Sequence, residues 1–102
     1  MDSNHLNLLA LKILSPETIE QELEGWTLKD GMLAKDLVFN NFVTCFTFMT
    51  KIAFEAEKMN HHPEWSNVYN RLSIRLSTHD AGGITELDLK LAKKIDQFAS
   101  TI

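Results

Sequence analysis

A long apolar segment that a proline brings to an end limits the possible folds of this chain more than any other segment. Asn40 or Asn41 can cap a helix here, and Pro63 disfavours helical geometry at His62, so the helix must end near Asn60 or His61. Apolar side chains recur at spacings of three and four, the period of an α-helix. They are Phe42, Cys45, Phe46, Met49, Ile52, Ala53 and Ala56. The spacing therefore predicts one fully apolar helix face that must pack on another element.

A second, weaker line of side chains follows the other side of this helix. It comprises Val43, Thr47, Thr50 and Phe54. A helix that lies on the sheet of a small monomer is expected to keep that side charged. The line therefore suggests contact with a partner or with a second copy of the chain. Isolated apolar residues among threonines explain the pattern equally well.

Turn and capping residues divide the rest of the chain into short elements. Ser15-Pro16-Glu17 predicts the start of a helix that Gly25 ends. Asp30-Gly31 is a preferred hairpin dipeptide, and Asn70-Arg71 is the predicted turn of a second hairpin. The predicted strands span 26–29, 32–39, 65–69 and 72–78. Residues 85–88 form a capping box that opens the last helix.

The order helix, two strands, helix, two strands, helix predicts an α+β fold. In this fold a four-stranded antiparallel sheet carries three helices on one side. At 102 residues and 44% hydrophobic, the chain is long enough for one core and too short for two. We therefore expect a single domain over residues 15–102. Residues 1–14 form an apolar-rich N-terminal arm that we expect to pack on it.

Composition excludes several function classes. Ten basic and fourteen acidic residues give a net charge of -4, which leaves no excess of positive charge for direct nucleic-acid binding. No apolar run approaches the length of a membrane span. Cys45 is the single cysteine, so it forms no internal disulfide and is interpreted as a small buried hydrophobe. These features predict a protein of a reducing compartment, the cytoplasm.

Three of the four histidines fall close together with a carboxylate and flat apolar side chains. The group comprises Glu57, His61, His62, Pro63, Trp65 and His79. Adjacent imidazoles titrate near neutral pH and can contact different atoms of one ligand, which suits proton transfer. Glu57 precedes His61 by one helical turn and is expected on the same side. Trp65 and Pro63 offer a surface for a planar heterocycle.

Other interpretations of these residues remain open. His61, His62, His79 and Glu57 include ligand types that zinc accepts, but adjacent histidines seldom bind one ion together, so no metal site is predicted. Trp65 at the start of a strand, taken alone, fits the core better than a ligand surface. Asp88 is most simply the last residue of the capping box.

Residues 57–69 and 76–79 closely resemble the signature of the pterin-4a-carbinolamine dehydratases. Their sequences are Glu57-Lys58-Met59-Asn60-His61-His62-Pro63-Glu64-Trp65-Ser66-Asn67-Val68-Tyr69 and Leu76-Ser77-Thr78-His79. The resemblance runs from about Gly25 to the last helix and includes Phe46-x-Phe48-Met49. It therefore covers most of the chain, whereas residues 1–14 add nothing to it.

The resemblance implies a small α+β subunit that forms homodimers or homotetramers through the long helix and a sheet edge. It also implies dehydration of 4a-hydroxytetrahydropterin to quinonoid dihydropterin, as in tetrahydrobiopterin recycling, without metal or cofactor. His61, His62, His79 and Glu57 would be catalytic, with His61 as the principal acid/base supported by Glu57. The substrate-binding residues would be Trp65, Pro63, Ser77, Thr78 and Asp88.

A second function follows from the same resemblance. Some members of the family act as dimerisation cofactors of a homeodomain transcription factor through the long helix. The line of Val43 and Phe54 fits such a transcription-factor partner, and it fits self-assembly equally well. This role would add the nucleus to the expected locations.

Overall fold

Three helices and four strands form the part of the chain that the computed structural model describes, residues 11–102. They are α1 (Pro16–Glu22), β1 (Thr27–Lys29), β2 (Met32–Val38), α2 (Phe42–Met59), β3 (Glu64–Val68), β4 (Arg71–Leu76) and α3 (Glu86–Ala99). A 3-10 turn, His79–Ala81, joins β4 to α3. The predicted element order and the α+β class are confirmed.

The strands form one antiparallel sheet in the order β1-β2-β4-β3. Leu33 of β2 pairs with Leu76 of β4, and Trp65 of β3 pairs with Ile74 of β4. The register brings the β1–β2 turn, the end of β4 and the start of β3 to one end of the sheet. Alternate residues of the strands face the helices and are buried. In β4 these are Leu72, Ile74 and Leu76.

The buried face of α2 differs from the predicted one. Its core residues are Cys45, Phe48, Ile52 and Ala56, so Phe48 joins the core, where its ring lies 5.0 Å from that of Phe39. Three residues that were predicted to be buried are exposed: Phe42, Phe46 and Ala53. A helix on a flat sheet buries only a narrow stripe. The stripe through Cys45 and Phe48 leaves Phe42 and Phe46 on its flank.

The two hairpins turn at different kinds of residue. Asp30-Gly31 forms the predicted turn, with φ of 53° and 76°. The second turn is Tyr69-Asn70, so the prediction of Asn70-Arg71 was wrong by one residue. Tyr69 takes the left-handed conformation, with φ of 51°. The side-chain amide of Asn67 supports this turn by donating to the carbonyl of Tyr69.

The N-terminal segment is attached to the domain at Leu14. Its N–H donates to the carbonyl of Ile84 over 2.8 Å, and its side chain packs on the core. Residues 1–10 of the predicted arm lie outside the described residues. Among residues 11–102, the helices are too short or too polar to cross a membrane.

Asp96 ties α3 to the first hairpin. Its carboxylate accepts from the Trp26 indole N–H at 3.0 Å and from Lys35 Nζ at 2.8 Å. The Lys35 ammonium also lies 5.5 Å from the centre of the Trp26 ring. All three side chains are partly buried, so the contact stabilises the packing more than a fully exposed ion pair would.

Candidate active site

A cavity of about 670 Å³ opens at the end of the sheet where the β1–β2 turn, the end of β4 and the start of β3 meet. Four predicted site residues line it: His62, Ser77, Thr78 and His79. The remaining wall is formed by Asp30, Gly31, Met32, Glu64, Arg75, Gly82 and Gly83. The two histidines come from elements separated in sequence, and the sheet register brings them together.

His61, which was predicted to be catalytic, is not among the lining residues; it directly precedes His62 and is held by a buried carboxylate. Its Nε2 is 2.6 Å from Oδ1 of Asp88. His61 is 8% exposed and Asp88 is 0% exposed. Asp88 was predicted to bind substrate, but it presents no accessible surface to the cavity. It contacts the predicted catalytic group His61 instead.

Two threonines complete the surroundings of this carboxylate. Oδ2 of Asp88 accepts from the Thr78 hydroxyl at 2.8 Å and from the Thr85 N–H at 2.9 Å. The Thr78 and Thr85 hydroxyl oxygens are 2.6 Å apart. Because the Thr78 hydroxyl donates its one proton to Asp88, the Thr85 hydroxyl is the donor in the hydrogen bond between the two threonines. The predicted capping box of α3 is therefore present, and its carboxylate serves both the helix end and the histidine.

This arrangement selects one tautomer of His61. An ionised carboxylate only accepts hydrogen bonds, and Oδ2 of Asp88 already accepts two. His61 therefore donates from Nε2, and Nδ1 of the neutral ring is left as an acceptor. A carboxylate that fixes the tautomer of a neighbouring imidazole is a recurrent device of acid/base sites.

Glu57 pairs with His62, so the expected pairing with His61 was wrong. Glu57 Oε1 lies 3.5 Å from His62 Nε2, and both side chains are largely exposed. The cause is the helix end. Asn60 adopts the left-handed conformation, with φ of 51°, and the His61 N–H bonds back to the carbonyl of Ala56. This reversal turns His61 inward toward α3 and leaves His62 on the outside.

The model of the pterin 4 alpha carbinolamine dehydratase family matches residues 12–98. This span contains every predicted site residue. The chain belongs to this dehydratase family.

Individual relatives agree with the family match. A protein of Rhizobium meliloti (strain 1021), provisionally named pterin-4-alpha-carbinolamine dehydratase, is 58% identical over 80 residues, or 76% of this chain and 77% of the relative. A relative of Rhizobium leguminosarum bv. trifolii (strain WSM2304) with the same provisional name is 50% identical over 97 residues, or 90% of this chain and 96% of the relative.

A solved structure extends the likeness to three dimensions. It is the crystal structure of a transcriptional coactivator/pterin dehydratase from Brucella melitensis, with a TM-score of 0.82 and 39% sequence identity. The alignment covers 86% of this chain and 99% of that one. The α+β fold of this dehydratase-family chain thus has an experimental counterpart.

Besides Asp88, two residues predicted to bind substrate do not line the cavity of this dehydratase-family member. Trp65 is partly buried and packs on the core, because its position opposite Ile74 turns it toward the helices. Pro63 is partly buried between His62 and β3. Conversely, sequence reasoning missed Asp30, Glu64 and Arg75. Only the strand order, which adjacent residues do not reveal, could have identified them.

Other reactive side chains are arranged for different purposes. Among residues 11–102, no three side chains of His, Cys, Asp or Glu come together in a group that could hold a metal ion. Cys45 is buried, as predicted, and its sulfur accepts from the Asn67 amide at 3.3 Å. Burial raises the pKa of the Cys45 thiol. A protonated thiol in the core is a poor nucleophile.

Proposed function

We propose that this chain is a hydro-lyase that dehydrates 4a-hydroxytetrahydropterin to quinonoid dihydropterin, the step that returns pterin in tetrahydrobiopterin recycling. The observation that carries the proposal is the pairing of buried His61 with Asp88 beside a cavity that His62 and His79 line. Family membership and the names of the relatives support the same reaction.

The reaction requires two proton movements at neighbouring atoms. The hydroxyl leaving C4a must gain a proton, and N5 must lose one. His61 is the principal base in our proposal because its bond to Asp88 leaves Nδ1 free to accept. His62 and His79 border the cavity, and we assign them to orienting the substrate and protonating the departing hydroxyl. No redox step takes part.

The test is the rate of water loss from freshly generated 4a-hydroxytetrahydropterin. His61→Gln keeps an amide that can donate to Asp88, whereas alanine would leave a buried carboxylate without that partner. His62 is exposed, so His62→Ala removes it without disturbing the core. Each variant is expected to lower kcat about 100-fold or more. Glu20→Gln, on the exposed side of α1, is the control that should retain full activity.

Two outcomes would contradict this proposal. Full activity in a protein that carries both His61→Gln and His62→Ala would show that neither histidine is needed for proton transfer. Strong inhibition of the wild-type protein by a chelator would revive the metal interpretation. Thermal melting of each variant separates loss of catalysis from loss of fold.

The exposed side of α2 supports a second proposed activity, assembly. Val43, Phe54, Phe46 and Phe42 are 71%, 67%, 52% and 45% exposed. Apolar exposure of this extent on one helix is typical of a protein interface. We propose that a second copy covers it and that the chain forms a homodimer or homotetramer, with the edge strands of the sheet contributing. The same face would serve a coactivator role of the kind named for the Brucella neighbour.

Light scattering at micromolar concentration tests the assembly. The wild-type protein is expected to be oligomeric, and Val43→Ser with Phe54→Ser is expected to lower its mass. A strict wild-type monomer would contradict self-assembly through α2. A transcription-factor complex that survives His61→Gln and is lost in the α2 variant would favour the coactivator role.

A further inference from the structure

The β1–β2 turn forms one flank of the cavity, opposite the start of β3. Asp30 and Met32 line the cavity from this turn, and His62 and Glu64 line it from the other side. In the order β1-β2-β4-β3, strand β4 separates β2 from β3. Two interstrand spacings therefore place the flanks about 10 Å apart. A flat fused bicyclic ring can reach from one flank to the other across the end of β4.

Asp30 presents a free carboxylate on this flank. It is exposed, and among the side chains of residues 11–102 it has no ion-pair partner within 4.0 Å and accepts no side-chain hydrogen bond. The turn itself does not require the charge. Asn-Gly and Asp-Gly both favour the positive φ angles found here, so an amide would hold the same backbone.

The proposed substrate has matching groups at one end. In a pterin, C4a and N5 lie in the middle of the long edge, where the histidines must reach. The 2-amino group and the neighbouring ring N–H lie at one end, and the substituent on C6 lies at the other. A carboxylate accepts two parallel N–H bonds at once, and such charge-assisted pairs are strong.

Another part of the wall suits the variable end of the ring. Gly82 and Gly83 line the cavity without side chains. At Gly82 nothing lies within 4 Å of the place of a Cβ, whereas Ile13 occupies that place at Gly83. Gly82 therefore leaves room for substituents of different size on C6, whereas the carboxylate on the β1–β2 turn is specific for donors.

We propose that Asp30 is a specificity-determining residue that binds the paired N–H donors of the pyrimidine ring of the pterin. The inference rests on the proposed function, because it takes a pterin as the ligand. Asp30 lines a part of the cavity wall that none of the predicted site residues forms.

The experiment measures the affinity of stable 7,8-dihydropterins by equilibrium dialysis, without catalysis. One ligand carries a methyl group on C6 and the other a dihydroxypropyl group. Asp30→Asn preserves size and turn preference but replaces one accepting oxygen with a donor. Kd is expected to rise about 10- to 100-fold for both ligands, as when a hydrogen bond to a charged group is lost. Glu20→Gln makes the same charge change on α1 and is expected to leave Kd unchanged.

The outcomes separate this inference from the proposed function. Wild-type affinity in Asp30→Asn overturns the role of Asp30 and leaves the dehydratase proposal standing. A loss confined to the dihydroxypropyl ligand overturns the pyrimidine contact, because it would assign Asp30 to the C6 substituent. If the wild-type protein binds neither ligand, both proposals fall. Equal melting temperatures of the wild-type and Asp30→Asn proteins verify that the turn is intact.

Discussion

The Asp88→Asn substitution tests how one buried carboxylate serves both the fold and the candidate site. Asparagine has nearly the same shape but replaces one accepting oxygen with an NH₂ donor. In one orientation the oxygen faces His61 and the NH₂ faces the Thr85 N–H, which loses its acceptor. In the other orientation the NH₂ faces His61 Nε2 and forces the opposite tautomer. The first orientation costs stability and the second costs catalysis.

The size of the stability loss follows from the contacts. Thr85 is 0% exposed, so water cannot replace the acceptor for its N–H. An unpaired buried donor costs about 1–3 kcal/mol, so in the first orientation we expect the free energy of unfolding to fall by about 2 kcal/mol. For a domain of this size, that corresponds to a melting temperature about 8–16 °C lower. The protein should stay folded, because domains have about 5–15 kcal/mol of stability.

Urea unfolding and the dehydration assay measure the two effects on the same protein. We expect the free energy of unfolding to fall if the first orientation prevails, and kcat to fall at least about tenfold if the second prevails. Thr85→Val is the matched variant, since it removes a capping hydroxyl of α3 without contacting His61. It should cost about 1 kcal/mol and keep its activity. If Asp88→Asn matches the wild-type protein in both assays, the shared-carboxylate argument is refuted.

Three further predictions concern other ion pairs. Glu57→Gln should lower kcat less than about threefold, because the pair with His62 is exposed; a loss as large as that of His62→Ala would contradict this. Hydrogen bonding to Lys58 lowers the pKa of Glu55 below its usual value. The ionised carboxylate therefore stabilises the fold at neutral pH, and this stabilisation is lost as the pH falls through the lowered pKa. Glu55→Gln should therefore lower the melting temperature at pH 7, with the difference vanishing in acid; a difference independent of pH would refute this. Asp96→Asn keeps an oxygen that can accept from the Trp26 indole but removes the charge that pairs with partly buried Lys35. It should cost about 1 kcal/mol in urea unfolding and leave kcat unchanged; unaltered unfolding would contradict it.

Much of the fold could be predicted because its signals are local. The Asp30-Gly31 turn depends on two residues that tolerate positive φ. The capping box at 85–88 depends on a hydroxyl and a carboxylate three residues apart. The end of α2 depends on Pro63. Each signal lies within a few residues of its effect, and the structure has all three.

Errors arose where several local solutions were equally good. Phe42, Phe46 and Phe48 are the same type of residue, so hydrophobicity does not distinguish them. Which of them is buried depends on how α2 is rotated on the sheet. The second hairpin could turn at Asn70-Arg71 by propensity alone. The Asn67 amide and the pairing of Arg71 with Val68 instead select Tyr69-Asn70. Packing on the sheet in the first case, and side-chain and strand-pairing contacts within the hairpin in the second, decide between such alternatives because their energies exceed the difference in propensity.

The element order, the family and the group of residues around His61 and His62 could be read from the amino-acid order alone, because periodicity, capping and motif spacing are properties of neighbouring residues. The partners of those residues depend on the folded chain. It paired His61 with Asp88, 27 positions away, and left Glu57 for His62. It also brought Asp30 to the cavity through the strand order. The physical reason is that hydrogen bonds and cavity walls form between groups close in space, and a left-handed residue at Asn60 or a strand order can redirect them without a local signal.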